Sequence, residues 1–331
     1  MRILVTGGAG FIGSHVCEAL LSDGHKVMTL DNFNTFYDPR IKKENVREIQ
    51  THLKAKNFTL KTADIRDTRA VTRIFRAFSP DLVIHLAAMA GVRPSIQNPA
   101  LYTDVNIRGT QVLLDACKAL NVKNFVFASS SSIYGNNKKV PFSEIDRVDH
   151  PISPYAATKK AGELLCHTYT HLFGMKISCL RFFTVYGPRQ RPDLAIHKFT
   201  KLLFKGETIP FFGDGSTKRD YTYIKDIVDG VLKAARWTKR APAGAYEIFN
   251  LGESRTISLK ELIRGLEKVT GRRAKLKRLP MQPGDVERTY ADISKSKKVL
   301  GYDPRMDFEE GLYVFVDWYR GKHSGIPCRA R

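Results

Sequence analysis

Eight residues near the amino end, Thr6-Gly7-Gly8-Ala9-Gly10-Phe11-Ile12-Gly13, leave few folds open to this chain. They join a short apolar run, Arg2 to Val5, to a segment whose apolar residues Ile12, Val16, Ala19 and Leu20 recur at the spacing that gives a helix one buried stripe. A strand, a glycine turn and a helix in direct succession open a dinucleotide-binding βαβ unit. Gly7 permits the tight turn, Gly10 lets the backbone approach a pyrophosphate and Gly13 lets helix and strand pack closely, with Phe11 and Ile12 in the same cofactor-facing turn. The free N–H groups and positive dipole end of the helix then face the phosphates.

Asp31 closes a second expected strand, Lys26 to Leu30, where a carboxylate accepts hydrogen bonds from both hydroxyls of an adenosine ribose. Its neighbours Asn32, Phe33 and Asn34 supply no arginine for a 2′-phosphate, so NAD is expected rather than NADP. Further apolar runs at Phe58–Thr62, Leu82–Leu86, Phe125–Ala128 and Ile177–Phe182 alternate with helical patterns. That alternation predicts an α/β chain, a Rossmann doubly wound parallel sheet, with ligands at the carboxyl ends of its strands. Residues 1–181, with returning segments near 220–252, are expected to form the NAD-binding domain, and 182–331 mainly a smaller carboxyl-terminal substrate lobe. The helical patterns at about residues 101–120 and 154–173 carry apolar residues on more than one face, which predicts pairing into a homodimer.

Composition narrows the class. A chain of 331 residues that is 43% hydrophobic buries a large core. The opening apolar run is far shorter than the roughly 20 residues that cross a bilayer, and no signal peptide is evident. Cys17, Cys117, Cys166, Cys179 and Cys328 are odd in number and lack CxxC spacing, which argues against a disulfide framework and a zinc site and predicts a cytoplasmic protein. The net charge of +21 is spread among acids, with clusters at Arg40–Lys43, Arg272–Arg278 and Lys295–Lys298. It reads as a solvated basic surface before it reads as steering of a polyanionic substrate or as a nucleic-acid site.

Tyr155 and Lys159 stand four residues apart, on one face of a helix. A free phenol titrates near 10, and nearby cations, the lysine ammonium and an oxidised nicotinamide, favour the phenolate that acts as a general base. Such a pair alone is a common coincidence. Upstream, a strand ends in Ser129-Ser130-Ser131-Ser132, presenting hydroxyls at the sheet edge that can bond a reacting oxygen and relay its proton.

Taken in order, the glycine turn, Asp31, Asp64-Ile65, Leu86-Ala87-Ala88, Asn106, the serine run and Tyr155/Lys159 resemble the extended short-chain dehydrogenase/reductases of the nucleotide-sugar epimerase and dehydratase group, from Arg2 to about Tyr319. The resemblance implies that Asp64 and Ile65 flank the adenine, that Leu86 to Ala88 and Asn106 line the cofactor, and that Ser130 is the catalytic serine, with Ser131 second. Dehydratases of the group carry an Asp-Glu or Asp-Lys pair where this chain has Ser131-Ser132, which leaves a redox cycle without elimination. The segments Asp31–Pro39, Ala90–Arg93, Arg181–Pro192 and Gly284–Ile293 resemble the UDP-glucuronate 4-epimerases, and Thr184-Val185 replaces the Asn-Pro common in UDP-galactose 4-epimerases. For such a substrate the resemblance puts Arg219 on the diphosphate with Tyr221 nearby, and Asp285 on the uridine ribose, although Gln282 stands where the group often has an arginine. Thr184 and the serine hydroxyls, with Arg93 or Arg191, are the candidates to hold a sugar carboxylate. His197 reads first as a plain helix-face histidine. A UDP-glucuronate decarboxylase, a UDP-glucose or UDP-N-acetylglucosamine 4-epimerase, and a non-catalytic redox-sensing or nucleic-acid-binding relative are the competing readings.

Overall fold

The computed structural model describes residues 1–281 and 286–323. Strands β1 (Arg2–Thr6), β2 (Lys26–Asp31), β3 (Phe58–Thr62), β4 (Leu82–His85), β5 (Asn124–Ser130) and β6 (Lys176–Phe182) join the strand Tyr246–Leu251 in one sheet. Its order is β3-β2-β1-β4-β5-β6 and then Tyr246–Leu251, parallel throughout. The chain leaves β1 toward β3 and returns on the other side at β4, so the strand order reverses between β1 and β4 and opens a crevice at their carboxyl ends.

The inner strands are buried along almost their whole length because helices cover both faces, and most of their residues are apolar. Alternate residues of β1 enter opposite cores: Ile3 and Val5 join helix α1 (Phe11–Ser22) and the helix Ile224–Arg240, while Leu4 joins the helices Thr68–Phe78, Gly109–Ala119 and Pro154–Phe173. The first core continues without a break into the later helices, taking in Ile196, Phe199, Leu262 and Phe315. The segment after Phe182 therefore shares its core with the sheet. Three two-stranded ribbons support it: Thr184–Tyr186 with Tyr221–Tyr223, Lys218–Arg219 with Ile257–Ser258, and Thr208–Phe212 with Lys275–Leu279.

Two boundaries differ from the sequence reading for physical reasons. β5 runs on past Ala128 to Ser130, where the buried Ser129 hydroxyl donates to Glu163 of the helix Pro154–Phe173. The pattern near 101–120 is three successive pieces, Pro99–Thr103, a π turn at Asp104–Arg108 and Gly109–Ala119, and the π turn carries Asn106. The helix Pro154–Phe173 is set at both ends: the Ser153 hydroxyl accepts from Ala156 N at 3.1 Å, Pro154 opens the first turn, and Gly174 stops the helix in the left-handed region at φ 62°. Among the described residues no helix is long and apolar enough to cross a membrane.

Candidate active site

The crevice is a cavity of ≈ 470 Å³ lined from both sides of the strand reversal. Its floor is the glycine turn. Gly7 adopts φ +71°, and a Cβ there would lie 2.8 Å from Ala87 N; a Cβ on Gly13 would lie 2.2 Å from the Gly7 carbonyl oxygen. Gly10 caps α1 and its N–H donates to Gly7 O at 3.0 Å. Gly7, Gly10, Phe11, Ile12 and Gly13 all line the cavity, a bare backbone cradle at a helix amino end that fits a dinucleotide diphosphate. Behind it, Thr6 Oγ1 lies 2.7 Å from His85 Nδ1, and His85 Nε2 lies 3.0 Å from Thr110 Oγ1. Thr6 Oγ1 also accepts from Ala87 N, which ties the Leu86-Ala87-Ala88 wall to β1.

At the carboxyl end of β2 the Asp31 carboxylate, 6% exposed, accepts from Phe33 N at 2.9 Å and Ala9 N at 3.3 Å. Asn32 donates to Asp64 Oδ2 at 2.9 Å, and Arg66 beside Asp64 holds that carboxyl down to about 2. Ile65 lines the cavity next to them. The sequence reading missed Lys42, which arrives from the helix Pro39–Gln50 to lie 3.8 Å from Asp31 Oδ1, with its pKa lowered by burial. No local motif announces a lysine from the next helix.

The phenol of Tyr155 and the hydroxyls of Ser130, Ser131 and Ser132 line the same cavity as the glycine turn. Lys159 Nζ donates to Ala128 O at 2.7 Å and sits 6.0 Å from the Tyr155 ring centre. Burial brings this lysine down to about 8. Burial pushes the Tyr155 phenol up, while a hydrogen bond with Ser130 and the charge of Arg191 draw it back down. Arg191 and Lys159 are thus the two cations placed near the phenol.

Arg191 lines the wall opposite. Its guanidinium makes a fork with Asp193, Nε to Oδ1 at 3.0 Å and Nη2 to Oδ2 at 2.7 Å, and lies 5.2 Å from the Phe36 ring centre. Phe36 belongs to the loop after β2, so this contact joins the cofactor wall to the wall that also carries Thr184 and Arg219. Ser132 Oγ is buried with no protein partner among the described residues, an acceptor and donor left for a ligand.

Several expected residues lie elsewhere. Asn106 does not line the cavity; its side chain accepts from Met89 N and donates to Met89 O and Thr158 Oγ1, bracing the loop after β4 against the helix of Tyr155. Arg93 lies over the Phe212 ring at 4.9 Å, outside the cavity lining. Tyr221 packs on Tyr186 and Phe308 and lines a separate small cavity with Glu253. Asp285 and Gln282 lie outside the described residues. His197 is buried, held by Gln190 and ringed by Phe315, Trp318 and Tyr319, so it serves the packing of its helix.

Residues 4–314 match the family model described as GDP-mannose 4,6 dehydratase. The chain belongs to that family of nucleotide-sugar enzymes. Within it, the chain is 46% identical to a UDP-glucuronate 4-epimerase of Thermodesulfobacterium geofontis over 316 residues, 95% of each chain. The solved UDP-glucuronic acid 4-epimerase of Bacillus cereus, in complex with UDP-glucuronic acid and NAD, superposes with a TM-score of 0.90 at 39% identity, covering 97% of this chain and 100% of that one. A UDP-glucose 4-epimerase of Thermotoga maritima with UDP-glucose gives 0.88 at 36% identity, covering 98% and 100%. The family's name includes a dehydratase, but the positions after Ser130 hold hydroxyls here, where elimination needs an added acid and base.

Proposed function

We propose that this protein is an NAD-dependent UDP-glucuronate 4-epimerase that interconverts UDP-glucuronate and UDP-galacturonate through a 4-keto sugar. The observation that carries the reading is the wall facing Tyr155, where Ser131, Ser132, Thr184 and Arg191 offer hydroxyls and one guanidinium. That set suits a carboxylate, and a neutral hexose has no use for the guanidinium. When bound, NAD supplies a reversible two-electron acceptor for C4. Gly7 to Gly13 and Asp31 hold it, tightly enough for recycling within each turnover, and Arg219 meets the substrate diphosphate.

Tyr155 takes the proton of the 4-hydroxyl, with Ser130 bonded to the same oxygen, and gives it back after the sugar has turned its other face. The ketone at C4 stands β to the carboxylate on C5, an arrangement that sheds carbon dioxide when the C5–carboxyl bond aligns with the carbonyl π system. Thr184, Ser131, Ser132 and Arg191 hold the carboxylate out of that alignment. The protein works as a cytoplasmic homodimer, a reading supported by the free, buried cysteines among the described residues and by Leu164 and Leu172, 56% and 61% exposed on the helix Pro154–Phe173.

The test is a pair of incubations, one with UDP-glucuronate and one with UDP-glucose, each followed by NMR and mass analysis. UDP-galacturonate as the main product supports the reading; UDP-xylose as the main product makes the protein a decarboxylase, and turnover of UDP-glucose alone makes it a neutral-hexose epimerase. Thr184→Val is expected to raise the pentose by-product above the wild-type level, and an unchanged product ratio removes Thr184 from the carboxylate hold.

A further inference from the structure

The helix Pro154–Phe173 carries Tyr155, Lys159 and Glu163 at successive four-residue steps, a single stripe turned toward the end of β5. Lys159 Nζ donates to Ala128 O, and one turn further on Ser129 Oγ donates to Glu163 Oε1 at 2.7 Å. Glu163 is gripped again from β6, where Arg181 Nε and Nη2 donate to its two oxygens, each at 2.9 Å. Arg181 Nη1 reaches Tyr134 Oη at 2.9 Å, and that hydroxyl donates to Asn250 Oδ1 at 2.7 Å. Glu163 and Arg181 are each 1% exposed.

A fully buried ion pair is a poor source of stability, because removing two charges from water offsets most of their attraction and apolar residues of similar volume often do as well or better. The position of this pair suggests a different use. Arg181 stands directly opposite Ser129 in the β5–β6 register, and Ser129 precedes Ser130 in the chain. Glu163 lies two turns along the helix from Tyr155. The pair thus ties the strand that presents the serine hydroxyls to the helix that presents the phenol. Apolar packing resists separation but tolerates sliding; directional bonds from Ser129 and Arg181 to one carboxylate resist both.

We infer that Glu163 and Arg181 are positioning residues, a buried pair that keeps the helix of Tyr155 in register with β5 so that the phenol and Ser130 converge on one hydroxyl of the substrate. The inference rests on the epimerase reading, since it presumes a reacting hydroxyl between them.

The test is the double substitution Glu163→Met with Arg181→Met in the full chain with its NAD bound. Its thermal midpoint is expected close to or above that of the wild type, while kcat for UDP-glucuronate falls about ten- to a hundredfold, the penalty for a displacement near 1 Å. KM and the NAD content are expected to stay within about twofold, because the pair touches neither ligand. A stable double variant with wild-type kcat overturns the inference, as does a loss carried by KM alone. Should the double variant fail to fold, Ser129→Ala cuts the strand-to-helix bond while leaving the ion pair whole; a severalfold fall in kcat at constant KM supports the role, and wild-type kcat overturns it. Wild-type protein that leaves UDP-glucuronate unchanged refutes the epimerase reading instead, and the same variants are then compared on the neutral UDP-hexose.

Discussion

Tyr155 sits where burial works against the task proposed for it. Desolvation raises the phenol, and only the Ser130 hydroxyl and the charge of Arg191 pull the other way. The residue must therefore be assisted at the moment of proton transfer, and its removal leaves no other general base among the hydroxyls beside it. Tyr155→Phe is expected to lower kcat by about 10²- to 10⁴-fold with little change in NAD content, measured by single-turnover product formation; full activity in the variant would remove Tyr155 as the general base. Tyr155, Lys159 and Ser130 were legible because helix periodicity and a strand end place them locally. Arg191 beside the phenol was not, because it comes from a different element across the cavity.

Strands and turns carry the second level of the argument. Most strands up to β6 could be read as apolar runs because strands buried on both faces leave little room for polar residues, whereas the edge strand β3 showed only through its position in the alternation. The strand Tyr246–Leu251 was visible only as part of a returning segment, since its outer half is partly exposed and its pattern correspondingly mixed. Arg219 and Tyr221 look like neighbours on one strand face, yet the chain breaks between Lys218–Arg219 and Tyr221–Tyr223, which sends them to different cavities. Asn106 lies in a π turn with its side chain on Met89 and Thr158, a placement that has no sequence signal. The glycine turn gives the sharpest expectation at this level. Gly13→Ala puts a methyl 2.2 Å from the Gly7 carbonyl and must deform the turn, whereas Gly10→Ala meets that oxygen at 3.1 Å. Purified Gly13→Ala is expected to carry little or no NAD and Gly10→Ala an intermediate amount, read from the ultraviolet absorbance ratio; equal occupancy in the two variants would contradict this account of the cradle.

Across the whole molecule, two histidines make stability depend on acid. Burial keeps His85 neutral, down to about 3, and burial with the charge of Arg189 keeps His15 down to about 4, both below the ordinary 6.5. Between those values and 6.5 the unfolded chain binds protons that the folded chain refuses, so the histidines' contribution is complete above pH 6.5 and declines as the pH falls toward 4, while Glu253 and Asp220, whose carboxyls burial raises to about 8 and about 6, bind protons on folding and oppose that decline. The fully buried His85 contributes up to about 1.4 kcal/mol per pH unit in that window, and the partly buried His15 less. His85→Gln is expected to lower the thermal midpoint at pH 7 but to reduce its loss between pH 6.5 and 4 relative to the wild type, and an unchanged loss would exclude His85 as a source. Arg189 has a second use: it bonds Glu18 on α1 and Glu48 on the helix Pro39–Gln50, anchoring the loop of Arg191 to the cofactor side of the molecule. Phe36 meets Arg191 from that same side. The two walls are thus fastened to each other through one short loop. On the epimerase reading, an NAD held between these walls is regenerated within each turnover, so output would follow the supply of sugar nucleotide and not the cell's ratio of NAD to NADH.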